Sequence, residues 1–442
     1  MTDTTQEKTG LGNYFVANYP PFSFWKPAQL DAARAALNLS PNPDTPLGLY
    51  LHIPFCRKRC KFCYFRVYTD KNARDVEVYC DALVREVELC SRLKVVGGRD
   101  LHYVYFGGGT PSYLSATQLR DLMGRVQAHM SWSGAAEVTF ECEPGTLQKH
   151  KLETLKELGV TRLSLGIENF DPKILEYNGR AHLEEEVYRA YGWAREVGFD
   201  QINIDLIAGM VGETWDNWRE CIRKTIALAP ESVTIYQMEL PYNTVFSKQV
   251  KELTIIGQDE PGLVIADWPT KRAWVDYAFT QLGEHGYDQS SAYTMVRNKN
   301  KAQFVYRDAL WHGADMFGAG VASFGHISGV HIQNVDQWDD YIRMLSEGQL
   351  PLNRAFPTTP RDRLIREAIL QLKTGTLDEA YFRRKFNVDV RAEFRDAFDH
   401  LEQAGFLAEG SHRIELTRAG LLQIDRHLPA FFDPHYRSSR YT

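Results

Sequence analysis

Short apolar runs rich in β-branched and aromatic residues recur along the first half of the chain. They are Leu49–Ile53, Leu101–Phe106, Glu137–Cys142, Arg162–Ile167, Gln201–Ile207 and Ser232–Leu240. Each has the length and make-up of a strand. Between them the period changes. In Ala73–Cys90 the apolar positions Val76, Cys80, Leu83, Val87 and Cys90 share one helical face, and in Leu183–Val197 so do Val187, Tyr191, Ala194 and Val197. Strands alternating with amphipathic helices predict βαβ units around a parallel sheet. Six such units predict an α/β fold, a partial (β/α)6 barrel of the TIM type, with its chemistry at the C-terminal strand ends.

The texture differs at both ends. Residues 1–46 are rich in Pro, Asn and aromatics, with NYPPFSFW at Asn18–Trp25, and show no regular period. Such a segment suits wrapping a domain edge or covering a site. Beyond Pro357, Arg361–Lys373, Leu377–Phe386 and Val390–Ala404 read as three helices, and Phe406–Leu416 as a hairpin turning at Gly410. Together they predict a winged-helix-like α+β domain. The expected division is therefore an extension over 1–46, a catalytic domain over 47–350 and a winged-helix-like lid over 351–442. Winged helices often hold DNA, but residues 376–426 contain eight Lys/Arg and ten Asp/Glu, net −2, which leaves no basic face for phosphates. No repeat of longer period appears beyond the βα alternation.

Composition narrows the picture further. Of the 442 residues, 44% are hydrophobic and 24% charged, which are globular values. With 51 Lys/Arg against 57 Asp/Glu the net charge is −6, so no global field gathers nucleic acid or anionic lipid. The 23 Phe, 22 Tyr and 9 Trp exclude disorder as the main state. No apolar stretch is long enough for a membrane span, and MTDTTQEKTG has no signal-peptide pattern. The 7 cysteines are odd in number, and Cys56, Cys60 and Cys63 crowd together. That argues against a secreted disulfide framework and for a cytoplasmic protein with one metal cluster. Cys142 and Cys221 read as small buried hydrophobes, and Cys80 and Cys90 as helix core.

The strongest chemical signal is Tyr50-Leu-His-Ile-Pro-Phe-Cys56-Arg-Lys-Arg-Cys60-Lys-Phe-Cys63, a C-x₃-C-x₂-C loop directly after a strand. Three thiolates on one tight loop suit three irons of a [4Fe–4S] cube. With no fourth cysteine at hand, one iron stays open to a small molecule, as in open zinc sites. A zinc knot with His52 as fourth ligand and three unrelated buried thiols are the competing readings. Arg57, Lys58, Arg59 and Lys61 favour deprotonated sulfur, or are simply solvated. Gly107–Pro111 after its strand lets backbone approach a ligand closely, or is only a tight turn.

This motif resembles that of the radical S-adenosylmethionine (radical SAM) enzymes. From about Leu47 to Leu428 the chain is similar to the oxygen-independent coproporphyrinogen III oxidase subfamily. The likeness rests on LYLHIPFCRKRCKFC, YFGGGTPSYL, FECEP, LSLGIENFD, NGRAH, INIDLIAGM, IYQMELP and FGAGVASFGH. It implies that Cys56, Cys60 and Cys63 hold the cluster and that its open iron chelates S-adenosylmethionine. It further implies that Tyr50, Gly108 and Glu141 contact this cofactor. Phe62, Gly109, Thr110, Glu168, Arg180, Asp205 and Met238 match a second S-adenosylmethionine site, with Phe324 as a further cofactor contact. Glu168, Tyr64 and Tyr306 are the candidate catalytic side chains. A flavodoxin- or ferredoxin-type protein is the expected electron donor.

Three departures shape the functional expectation. Glu168 stands where the porphyrinogen-oxidising relatives carry Gln. Tyr64–Asn72 is aromatic and basic where they place small residues and another Cys. Tyr306-Arg307-Asp308-Ala309-Leu310-Trp311 lacks the His-Asn pair of the haem chaperones. On these grounds the chain is expected to resemble the class C radical methyltransferases and cyclopropanases, moving a methyl or methylene group to an sp² carbon of an unsaturated small molecule. Oxidative decarboxylation of coproporphyrinogen III and non-enzymatic haem transfer are the alternatives. Tyr64, Phe65, Tyr68 and Trp311 suggest a flat, unsaturated substrate, or ordinary packing.

Overall fold

The structure is a computed structural model and describes residues 9–12, 14–256, 264–408 and 413–439. Gly410 lies outside them. The chain divides into two compact units. One holds Trp25–Asp205 and Gln303–Pro357; the other holds Met1–Phe24, Leu206–Ala302 and Thr358–Thr442.

The first unit is built on parallel strands β1 (Leu47–Ile53), β2 (Leu101–Gly108), β3 (Glu137–Cys142) and β4 (Arg162–Glu168), with β5 (Gln201–Ala208) continuing the order. β1, β3 and β4 are buried over nearly every residue, which is why they read as unbroken apolar runs. Tyr50 pairs with Tyr105 and Ile53 with Gly108, while Glu141 pairs with Ser164. The register thus gathers the C-terminal ends of β1 to β4 along one edge. The helix Ala73–Ser91 starts at a capping box of Asn72 and Asp75 and buries Val76, Tyr79, Cys80, Leu83, Val87 and Cys90. Glu184–Val197 buries Val187, Ala190, Tyr191 and Ala194, and ends at Gly198 in the left-handed region.

On the far side of β1 the sheet adds strands to the six expected. After β6 (Ser232–Gln237), β7 (Asp288–Gln289) and β8 (Thr294–Val296) in the second unit, the chain returns to the first. There β9 (Asp315–Ala319) pairs parallel with β1. The strands β10 (Phe324–Ile327), β11 (Val330–Asn334) and β12 (Leu352–Pro357) then continue antiparallel. No strand was expected in this Gly-, Ser- and His-rich stretch. Close backbone approach explains it: a Cβ on Gly318 would stand 2.0 Å from the Phe324 carbonyl oxygen.

In the second unit the residues after Pro357 form the helices Pro360–Leu372, Glu379–Phe386, Val390–Glu393 and Arg395–Gln403. The expected single helix over Val390–Ala404 breaks at Phe394, whose ring lies 5.5 Å from that of Phe431. Ile414–Glu415 pairs antiparallel with Thr376–Leu377, and Leu407 bridges Leu416. These are the small sheet of a winged-helix-like α+β arrangement. The same unit ties down its own N-terminal segment. Lys373 is fully buried, 2.7 Å from Asp425 and bonded to the Val16 carbonyl, and Gly12 N–H donates to Leu240 O. No described helix is long and apolar enough to cross a membrane.

Candidate radical SAM centre

Cys56, Cys60 and Cys63 follow the end of β1 on a loop whose basic residues face outward and whose thiols are half-buried. Two elements fix the loop. Cys56 N–H donates to Tyr68 O and Tyr68 N–H to Pro54 O, which closes it; Lys61 N–H donates to Asn178 O. Gly179, in the left-handed region at φ 80°, lies under it: a Cβ there would meet Cys60 Cα at 3.4 Å. Burial holds the Cys56 and Cys63 thiols up, to about 11 and about 12. Bound iron overcomes that, because a coordinating thiol is deprotonated outright.

The protein aims donors at the sulfurs. Arg180 Nη1 stands 3.5 Å from Cys60 Sγ, and Thr110 Oγ1 3.4 Å from Cys56 Sγ. His52, the rival fourth ligand for zinc, is engaged elsewhere: its Nδ1 lies 3.2 Å from Tyr50 Oη and its Nε2 3.3 Å from the Arg66 carbonyl. Among the described residues no group of three or more His, Cys, Asp or Glu is spaced for a single metal ion. A cube, which offers each thiolate a different iron, accepts the wider spacing. The donor set therefore fits a three-thiolate cluster better than zinc.

Beside the loop, Gly107–Thr110 leaves the end of β2. Gly108 adopts φ 115°, and a Cβ there would stand 2.6 Å from the His52 ring. Gly109 N–H donates to Ile53 O, and a Cβ on it would meet Phe55 O at 2.9 Å. Glu141, on β3, accepts from Tyr105 Oη at 2.7 Å and from Gly108 N–H at 3.2 Å. Burial, with Asp205 adding to it, raises Glu141 to about 7 against those two hydrogen bonds. Tyr50 stacks over Tyr105 with centroids 5.9 Å apart.

At the end of β4, Glu168 sits in the left-handed region at φ 64°, unusual for a residue with a Cβ. Arg180 Nη1 lies 3.7 Å from its Oε1. Burial raises Glu168 to about 7, Arg180 opposes, and Asp205 and Glu141 reinforce. Asp205, on β5, accepts from Ser164 Oγ at 2.7 Å and Asn203 Nδ2 at 2.8 Å, and burial raises it too. Glu168 and Asp205 thus both feel the Arg180 guanidinium, while Glu141 is held by Tyr105 and Gly108.

Other sequence candidates fall elsewhere. Phe62 is half-buried on the cluster loop, and Tyr64 stacks on the exposed Phe65 with centroids 4.5 Å apart. Tyr306 is half-buried in an aromatic group, 4.3 Å from Tyr105, with its backbone N–H donating to Glu137. Tyr68 packs edge-on against Trp338, and Trp311 lies under Arg307. Phe324, on β10, is exposed and edge-on to Trp25 at 5.5 Å. Met238 belongs to the second unit, where it is buried and its carbonyl accepts from Lys271 Nζ.

Sequence reasoning passed over Glu143 and His182, and read Arg57 only as a neighbour of the thiolates or a solvated charge. Arg57 clamps Glu143 through Nε at 3.2 Å and Nη2 at 2.9 Å, Gly145 N–H adds a third donor at 3.1 Å, and His182 Nδ1 stands 3.4 Å away. Burial alone would raise Glu143; His182, Arg180 and Arg57 together pull it down to about 2. The signal was present, since FECEP and NGRAH each carry a second polar residue two places after the one singled out.

Comparison with known proteins corrects the functional expectation. Residues 50–225 match the Radical SAM superfamily and residues 358–422 the HemN C-terminal domain. The heme chaperone HemW of Bacillus subtilis is 28% identical over 379 residues, covering 84% of this chain and 96% of its own. The oxygen-independent coproporphyrinogen III oxidase of Synechocystis is 25% identical, covering 98% and 96%; that of Escherichia coli is 27% identical, covering 89% and 87%. The solved structure of the Escherichia coli coproporphyrinogen III oxidase, described as a radical SAM enzyme, superposes with a TM-score of 0.80 at 24% identity, over 94% of this chain and 96% of that one. These relatives overturn the methyltransferase or cyclopropanase expectation. It rested on departures at single positions, and full-length likeness to oxidases and a chaperone outweighs them. The cofactors expected of such a centre are a [4Fe–4S] cluster and S-adenosylmethionine, and the chain carries a Radical SAM region over residues 50–225 and a HemN C-terminal region over residues 358–422.

Proposed function

We propose that the protein oxidatively decarboxylates coproporphyrinogen III without oxygen. The observation that carries this reading is the set of three thiols with side-chain donors on two of their sulfurs, in a chain similar from end to end to such oxidases. When bound, the cluster and S-adenosylmethionine supply a carbon radical able to take a hydrogen atom. Loss of that hydrogen from a propionate side chain, one electron to an acceptor, and carbon dioxide leave a vinyl group.

The chain's own residues bind and exclude. Cys56, Cys60 and Cys63 hold three corners of the cluster. Glu141, fixed by Tyr105 and Gly108, offers a buried acceptor for the hydroxyl or amino groups of a first adenosyl ligand. Glu168, Arg180 and Asp205 would take a second, a role their clustering supports. The exposed Lys58, Arg59 and Arg66 on the cluster loop suit the propionates of a tetra-anionic substrate. Haem transfer has one supporting observation, the 28% identity to the Bacillus chaperone, but Tyr306–Trp311 lacks the His-Asn pair expected of that reading.

The test is anaerobic incubation of reconstituted protein with S-adenosylmethionine, coproporphyrinogen III, dithionite and a one-electron acceptor. The expected product has lost carbon dioxide and two hydrogens per reacted side chain. Cofactor cleavage with an unchanged porphyrinogen rejects the proposal, and tight stoichiometric haem binding without cleavage replaces it with the chaperone reading.

A further inference from the structure

The guanidinium of Arg180 touches two places that the chemistry treats separately. Its Nη1 reaches Cys60 Sγ at 3.5 Å, and the same nitrogen lies 3.7 Å from Glu168 Oε1. Its Nη2 donates to the Gly166 carbonyl. Its buried Nε has no hydrogen-bond partner among the described residues. One donor is thus left without a protein partner, and the charge, set against Glu168 and Glu143, acts on the sulfur it faces.

Nor is it free to swing away. Lys61 N–H is bonded to Asn178 O at 3.0 Å, and Gly179 is pressed against Cys60 Cα, so the two residues before Arg180 are docked on the cluster loop. Gly166 keeps the opposite side narrow: a Cβ there would stand 3.1 Å from Glu168 Oε1 and 3.4 Å from Arg180 Nη2. The left-handed backbone at Glu168 is a strained conformation held by its surroundings.

We propose that Arg180 is an electrostatic relay, setting the cluster's reduction potential through Cys60 and passing the charge at Glu168 on to it. The inference rests on the reading that Cys56, Cys60 and Cys63 carry a [4Fe–4S] cluster. A donor to a ligating sulfur and a nearby positive charge favour the more negative, reduced cluster and raise its potential. A carboxylate against the same guanidinium offsets that charge and lowers it. Thr110, a neutral donor to Cys56, acts in the same direction as Arg180 but less strongly.

The experiment is a dithionite titration of the reconstituted protein in alkaline buffer, followed by electron paramagnetic resonance. One electron passes from dithionite to the cluster, and dithionite is oxidised to sulfite. Arg180→Gln lowers the midpoint by at least a tenfold change in the reduction equilibrium, about 59 mV for one electron. Glu168→Gln raises it, and the double variant matches Arg180→Gln. Thr110→Val lowers it by less. Equal midpoints in wild type and Glu168→Gln overturn the relay, even where Arg180→Gln fails to hold a cluster. So does an equal rise from Glu168→Gln in the Arg180→Gln background. A wild-type chain that takes up no [4Fe–4S] cluster overturns the family reading of the cysteines as well, and iron and sulfide analysis tells the two failures apart.

Discussion

Two carboxylates flank the cluster loop, and they are treated in opposite ways. Glu143 receives both arms of Arg57, a backbone N–H and the edge of His182, and is held down at about 2. Glu168 has one guanidinium at 3.7 Å, which Asp205 and Glu143 also feel, and is pushed up to about 7. The contrast separates scaffold from site. A carboxylate saturated by protein donors fixes geometry and has nothing left to offer. One buried with too few donors costs stability and keeps lone pairs ready for a ligand.

The largest expected effect is where the two regions meet, at the thiols. Cys56→Ala, Cys60→Ala or Cys63→Ala removes the broad visible absorption that follows anaerobic reconstitution with iron and sulfide. Cys80→Ala, on the buried face of the helix Ala73–Ser91, leaves it in place. Full absorption in a loop variant rejects the ligand assignment. Next comes the scaffold side. Glu143→Ala strands Arg57 and His182 and lowers stability by about 1–3 kcal/mol, less than a fully buried pair because Arg57 is part-exposed. Urea unfolding of the metal-free chain measures it, and a loss no larger than that of an exposed pair such as Arg120–Glu157 removes Glu143 from the scaffold.

How far the chain's own order revealed this follows from which interactions are local. The parallel strands were legible because both their faces are buried, which writes them as apolar runs. The antiparallel strands β10 and β11 were not, since they hold His326 against His331 and depend on Gly318 for close approach. The helix over Val390–Ala404 kept its period through a break at Phe394, where the chain packs on the distant Phe431. In the site, Cys56, Cys60 and Cys63 announced themselves by spacing. Glu143 did not, because its partner Arg57 lies 86 positions away and only the juxtaposition of β1 and β3 loops unites them. The functional misreading came from weighing Glu168 and Tyr64–Asn72 singly, where resemblance over the whole length carried more.

The finest distinction between the two carboxylates is their response to pH. Glu168 is raised in the folded chain, so folded protein holds its proton more tightly than unfolded protein does. Its contribution is fully present below the ordinary carboxyl range and is lost as pH climbs from about 4.5 to about 7. Glu143 runs the other way: its contribution is present above the ordinary range and is lost as pH falls toward about 2. Glu168→Gln should therefore match the wild type near pH 4, where the carboxyl is neutral in folded and unfolded chains alike, and exceed it above pH 7 by about 1 kcal/mol. The gain is modest because Glu141 and Asp205 relax toward ionisation once their neighbour is neutral. Urea midpoints of the metal-free proteins across this range decide the matter. Curves that stay parallel would mean that Glu168 is as well compensated as Glu143, and the division between scaffold and site would fail at the residue that defines it.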